Sequence, residues 1–122
     1  MSDMNIFLEV TYTVNLPSGD LSFMVGQTLS EDYSELRNSV FITANNPNGV
    51  VCDNNTELNN MLLSDIKNKY CCGVGGDDKH IEYHYLVFNT SVYDGYKLAV
   101  KYNQLAYLYI DDSLKVSLQV GI

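Results

Sequence analysis

The sequence predicts a single-domain α/β fold, a small mixed β-sheet with flanking helices, in the order β-β-α-β-α-β-α-β-β. Three observations carry this. Residues 6–14 alternate Phe7, Glu9, Thr11 and Thr13 against Leu8, Val10, Tyr12 and Val14, the period-2 pattern of a half-buried strand. Residues 39–44 (Ser-Val-Phe-Ile-Thr-Ala) form a continuous apolar run of strand length, as a strand buried on both faces requires. Between Asp53 and Lys69, Leu58, Met61, Leu62, Asp65 and Ile66 recur at helical spacing. Alternating strand-like and helix-like segments argue for a sheet with helices packed on it, rather than a sandwich or a bundle.

The remaining elements follow in order. Leu16-Pro17-Ser18-Gly19-Asp20 is turn chemistry, so residues 21–25 return as the hairpin partner of the first strand and Gly26 ends it. Ser30 followed by Glu31 and Asp32 reads as an N-cap with acidic first-turn residues that suit the helix dipole, giving a short helix to about Arg37. The strand at 40–44 is expected to be central, and Asn45-Asn46-Pro47-Asn48-Gly49 is the loop that ends it. Asp53 or Asn54 caps a helix through about Lys69. Residues 71–78 hold three glycines and two aspartates and read as a turn. Residues 80–89 form a long strand, 92–102 a helix, 104–110 a strand, and 115–120 a last strand after the Asp111-Asp112 turn.

A length of 122 residues sits at a common domain size, and no linker, repeat or low-complexity tract divides residues 1–122. A formal charge of −8 with only seven scattered Lys and Arg argues against direct binding to nucleic acid or to anionic membrane, both of which need clustered cations. The carboxylates stand singly or in pairs beside turn residues, which fits a solvated surface better than DNA mimicry. Ten tyrosines and no tryptophan place many hydroxyls at the core edge or in a pocket wall. Cys52, Cys71 and Cys72 lack a disulfide framework, the start lacks a signal-peptide pattern, and no apolar run approaches the roughly 20 residues of a membrane helix. The expectation is a soluble, cytoplasmic protein with free thiols.

At Phe41-Ile42-Thr43-Ala44-Asn45-Asn46-Pro47 the chain resembles a bacterial family, domain of unknown function 3293, whose usual signature is Ile-Thr-Ala-aromatic-Asn-Pro. The likeness continues in order through Asn55, the glycines at 73–76, His80-Ile81-Glu82 and Gln104-Leu105-Ala106, and covers about residues 12–110. Thr-Ala-x-Asn-Pro is its specific part. Asn45 stands where the family usually has an aromatic residue and His80 where it has Trp, so a ligand site lined by those aromatics would be altered here. The strand at 115–120 lies beyond the family's usual end. The family has no assigned activity, so the resemblance implies a fold and a motif.

Two constellations could carry chemistry. If the strand 41–44 ends at the carboxyl edge of an open sheet, Thr43, Asn46, Pro47 and Asn55 converge where such sheets place ligands, and their amides suit an anionic or carbonyl-bearing molecule. Asn-Pro-Asn-Gly is also ordinary turn chemistry, and Asn55 an ordinary cap. On a strand, His80, Glu82 and His84 share one face, but the histidines stand roughly 13 Å apart at about 3.3 Å per residue, too far to bind one metal ion together. No metal and no cofactor is expected. A partly buried Glu82, hydrogen-bonded to Gln104 or to a tyrosine hydroxyl, is the favoured arrangement, with Asn46, Glu82 and Gln104 meeting at one polar site. Gly73-Val74-Gly75-Gly76 lacks the spacing and lysine of a phosphate loop, and no nucleophile motif or dinucleotide fingerprint is present. The preferred function is a non-catalytic binding domain for a small ligand or a protein partner, with Thr43, Asn46, Asn55, Glu82 and Gln104 as its candidate site. The alternatives are a small enzyme using Glu82 with a histidine as acid-base group, and an acidic inhibitor of a cationic protein site. Whether the chain is an enzyme is left open by the residues.

Overall fold

The computed structural model describes residues 10–76 and 81–121. Seven strands, β1 (Tyr12–Leu16), β2 (Gly19–Phe23), β3 (Ser39–Ile42), β4 (Tyr70–Gly76), β5 (Ile81–Val87), β6 (Ala106–Ile110) and β7 (Val116–Val120), form one sheet in the order β2-β1-β4-β5-β3-β6-β7. Two α-helices, α1 (Asn55–Asp65) and α2 (Val92–Lys101), pack on one of its faces. No helix among the described residues is long and apolar enough to cross a membrane.

Every strand pair is antiparallel, so the expected mixed sheet is corrected. The physical reason is β4, which fills the glycine-rich stretch expected to be a turn. Had the chain run from β3 through α1 directly into β5, those two strands would lie parallel, as helix crossovers require. The added strand reverses the chain once more, and β5 meets β3 antiparallel with Phe41 opposite Leu86. The α2 crossover then carries the chain from β5 past β3 to β6, on the other side of β3. β3 is thus interior to the sheet and buried on both faces, as its apolar run indicates.

The sheet curls. In a flat sheet, β1 and β3 would stand roughly 14 Å apart, three spacings of about 4.8 Å. Yet the Tyr12 and Phe41 ring centroids are 5.8 Å apart, and both rings contact Phe23. The rings meet over Gly73 and Gly75, which have no side chain to intervene. A Cβ on Gly73 would fall 2.6 Å from the Phe41 ring and 2.6 Å from the Thr13 carbonyl oxygen, and one on Gly75 2.6 Å from the Tyr12 ring. The chain leaving edge strand β2 then reaches the opposite edge: Gly26 N–H donates to Val116 O at 2.8 Å, Val116 N–H to Gln27 O at 2.9 Å, and Leu29 N–H to Leu114 O at 2.9 Å. Residues 26–29 therefore strap the two edges together.

Two cores result. Inside the curl lie Tyr12, Val14, Phe23, Phe41, Leu86 and Ile110, with Leu36 and Leu114 supplied from outside the strands. Under the helices lie Val40, Ile42, Leu62, Val87, Ala99 and Tyr107. Strand β5 sends Leu86 to the first core and Val87 to the second, as a period of two demands.

Other boundaries move for local reasons. The expected first helix is a 3-10 segment, Glu31–Leu36, interrupted at Tyr33; Ser30 Oγ does accept from Asp32 N–H at 3.2 Å. Among the described residues, two α-helices therefore stand where three helices were expected. α1 stops at Asp65 rather than continuing to Lys69, because Ile66 is extended and the chain must enter β4 at Tyr70. Met61, expected on its buried face, is 53% exposed. α2 ends at Lys101, β2 is shifted to Gly19–Phe23, β6 begins at Ala106 and β7 at Val116. Residues 6–9 of the expected first strand and His80 of the expected long strand lie outside the described residues. The frequent asparagines have a backbone role: Asn38, Asn46, Asn48, Asn89 and Asn103 all adopt positive φ, which Asn tolerates better than most side chains.

Two measurements check this architecture. Amides at 40–42 should exchange among the slowest, with protection approaching the global stability, while exchange as fast as loop amides would exclude an interior β3. Gly73→Ala should destabilise by roughly 1 to 3 kcal/mol in urea unfolding, as overpacking does.

Candidate functional site

Where β3 ends, side chains take over its hydrogen bonding. The β3–β5 register stops at Ile42 opposite Tyr85. Beyond it, Tyr83 N–H donates to Asn45 Oδ1 at 2.9 Å, and its carbonyl accepts from Thr43 Oγ1 at 2.6 Å and from Asn59 Nδ2 at 2.9 Å. Asn59 Oδ1 accepts from Ala44 N–H at 2.8 Å, which ties α1 to the same point. The backbone is thereby free to leave the sheet and turn through Asn46, at φ 49°.

That turn presents Asn46 to β5. Its Nδ2 donates to Glu82 Oε2 at 2.9 Å, its Oδ1 accepts from Asn55 Nδ2 at 2.8 Å, and its N–H donates to Asn55 Oδ1 at 2.8 Å. Asn55 thus decides which edge of the Asn46 amide faces the carboxylate. The cap of α1 is Asn54, without a side-chain cap bond, so Asn55 braces the loop instead of capping the helix. Cys52 Sγ also donates to Asn55 Oδ1, at 3.0 Å, and all three thiols are free.

The loop, β5 and the start of β6 border a cavity of about 350 Å3. Thr43, Asn46, Glu82 and Gln104 lie in its wall beside Tyr12, Phe41, His84 and Leu108. The expected meeting of Asn46, Glu82 and Gln104 is therefore seen, with one correction. Glu82 bonds to Asn46 and not to Gln104, whose Nε2 donates to the carbonyls of Asn45 (3.0 Å) and Tyr102 (3.2 Å). Thr43 reaches the wall, but its hydroxyl serves Tyr83. Asn55 stands behind Asn46, outside the wall. The expected placement at the carboxyl edge of an open sheet fails with the antiparallel topology; what positions the loop is the side-chain bracket around Tyr83.

Electrostatics separate the two titratable groups of β5. Burial raises the Glu82 carboxyl above its usual range, partly offset by the Asn46 hydrogen bond. Burial holds His84 down to about 4, opposed by its contact with the Glu82 backbone carbonyl, and its ring stacks on Phe41 at 4.7 Å between centroids. Tyr12 is raised by burial and by the nearby Glu82 charge. His84 Nδ1 lies 3.1 Å from the Glu82 main-chain oxygen, so this contact does not couple the imidazole to the carboxylate as an acid-base pair would need. Among the described residues no three His, Cys, Asp or Glu side chains are grouped to hold a metal ion.

Sequence reasoning missed Asn45, Asn59 and Tyr12. The spacing of Asn59 three residues before Leu62 put it on the buried helix face, and Tyr12 alternates with Val10 and Val14 on the inward face of the first strand, so both positions were readable, though not their roles. Comparison with protein-family models, with curated proteins and with solved structures yields no match. The likeness to domain of unknown function 3293 therefore rests on the sequence motifs alone.

His84 and Glu82 act on stability in opposite pH windows. A depressed histidine means that the unfolded chain binds a proton the folded chain refuses, so stability is full above about 6.5 and falls as pH drops towards 4. A raised carboxyl means that the unfolded chain releases its proton first, so stability is full below about 4.5 and falls as pH rises through the folded value. Urea midpoints followed against pH should lose on the order of 3 kcal/mol from His84 across its window. His84→Phe should flatten that acid limb, and Glu82→Gln the opposite one.

Proposed function

We propose that this chain is a non-catalytic binding domain whose cavity takes a small ligand. The observation that supports this reading is the pairing of an apolar, aromatic wall with a few fixed polar groups in a recess of about 350 Å3, within the roughly 300 to 1,000 Å3 range of small-molecule sites. Gln104 is 6% exposed and Thr43 5%, too recessed to meet a flat protein surface but within reach of a molecule that enters the cavity. Their hydrogen bonds, and those of Asn45 and Asn55, hold the wall in shape before any ligand arrives, which lowers the ordering cost of binding. The acid-base alternative is less favoured, because burial lowers the basicity of His84 and its contact is with the main chain rather than the Glu82 carboxylate.

A thermal-shift screen of small compounds tests the reading. A ligand at a hundredfold excess over its Kd adds about 2.7 kcal/mol to the native state, a shift of several degrees for a domain of this size. Asn46→Ala, which removes a donor from the wall, should weaken that shift while leaving the apo chain folded. A screen in which no compound raises the midpoint, or in which hits are indifferent to Asn46→Ala, counts against the cavity as the site.

A further inference from the structure

Resting on the reading of this cavity as a small-molecule site, we infer that its ligand is an organic amine: an ammonium head seated on the Glu82 carboxylate, and an aromatic or aliphatic body lying against the half-buried Val10, Leu105 and Leu118 side chains of the wall. The wall holds one carboxylate and, among the described residues, neither Lys nor Arg. Asn46 is the donor seen on that carboxylate, and it engages Oε2. A half-buried carboxylate held by one neutral amide is short of compensation, since buried charge is tolerated when paired with an opposite charge and hydrogen-bonded. A ligand ammonium supplies that charge.

Three features point the same way. Asn55 turns the Asn46 amide so that its NH2 edge faces Glu82 and is engaged there rather than being left for an anion. The net charge of −8 favours cations over anions around the protein as a whole, so the anionic ligand that the loop amides alone suggested is disfavoured. The half-buried Val10, Leu105 and Leu118 side chains of the wall offer apolar area to the body of such a ligand. Burial raises the carboxyl in the empty cavity, and a bound ammonium would draw it back into the ionised state.

Isothermal titration of the full chain with matched probes decides it. Phenethylamine, tryptamine and butylamine, all cationic at pH 7, are compared with 2-phenylethanol, indole-3-ethanol and butanol, and with 3-phenylpropanoate as the anion. The expected result is that each amine binds at least about tenfold tighter than its alcohol, that the anion does not compete, and that Glu82→Gln removes the amine preference. Gln still accepts from Asn46, so that variant should fold, and the amine-to-alcohol comparison on the native chain stands without it. Alcohols that bind as tightly as their amines, with a ratio unchanged in Glu82→Gln, would overturn the amine and leave the binding cavity standing. If no probe of either kind binds, both readings fall.

Discussion

The architecture depends on one absence, that of side chains at Gly73 and Gly75 on the inner face of β4. Gly73 and Gly75 let the Tyr12 and Phe41 rings pass across a strand that would otherwise hold them apart, and His84 stacks in the same space. With those rings in contact the sheet curls tightly enough for residues 26–29 to reach β7. Glycine in a strand normally weakens it, through entropy and lost packing. Here the loss is offset by aromatic surface brought together from β1, β2 and β3, whose burial stabilises the fold by about 25 cal/mol per Å2.

The cavity follows from the same geometry. A flat sheet would expose Glu82 and His84 to solvent, since both lie on the β5 face away from the helices. The curl turns that face inward, and the loop after β3 closes over it, held by Thr43, Asn45 and Asn59 around the Tyr83 peptide. Most polar groups at the site are occupied in shaping it. Thr43, Asn45, Asn55, Asn59 and the Gln104 amide serve main chain or one another, and Glu82 is the carboxylate of the wall, held through Oε2 by Asn46.

Periodicity made most strands and both α-helices readable. The double burial of β3 was legible from its apolar run, the shared face of Glu82 and His84 on β5 from the alternation, and the capping of the segment after Ser30 from its hydroxyl. What failed was β4. Tyr-Cys-Cys-Gly-Val-Gly-Gly has turn composition, and its glycines are there for the rings of other strands, a tertiary demand that no local pattern records. Missing that one strand reversed the inferred direction of β5 and with it the sheet type. At the site, proximity of Asn46, Glu82 and Gln104 could be argued from topology, but the choice of Asn46 as the partner of Glu82 depends on a positive φ at Asn46 and on the Asn55 amide behind it.

The strap at 26–29 also bears on how the chain reaches this state. Its partners at 114–116 are among the most distant in sequence, and β1 must likewise wait for β4 before it gains its second neighbour. Such pairings require long loops to close before any contact rewards them, which places folding in the slow range typical of β-rich topologies, milliseconds to seconds. Until the strap docks, the start of β7 stands as an open edge on a partly formed sheet, a surface through which one immature chain would recruit another. Completing the curl therefore ends the interval in which the protein is most exposed to self-association.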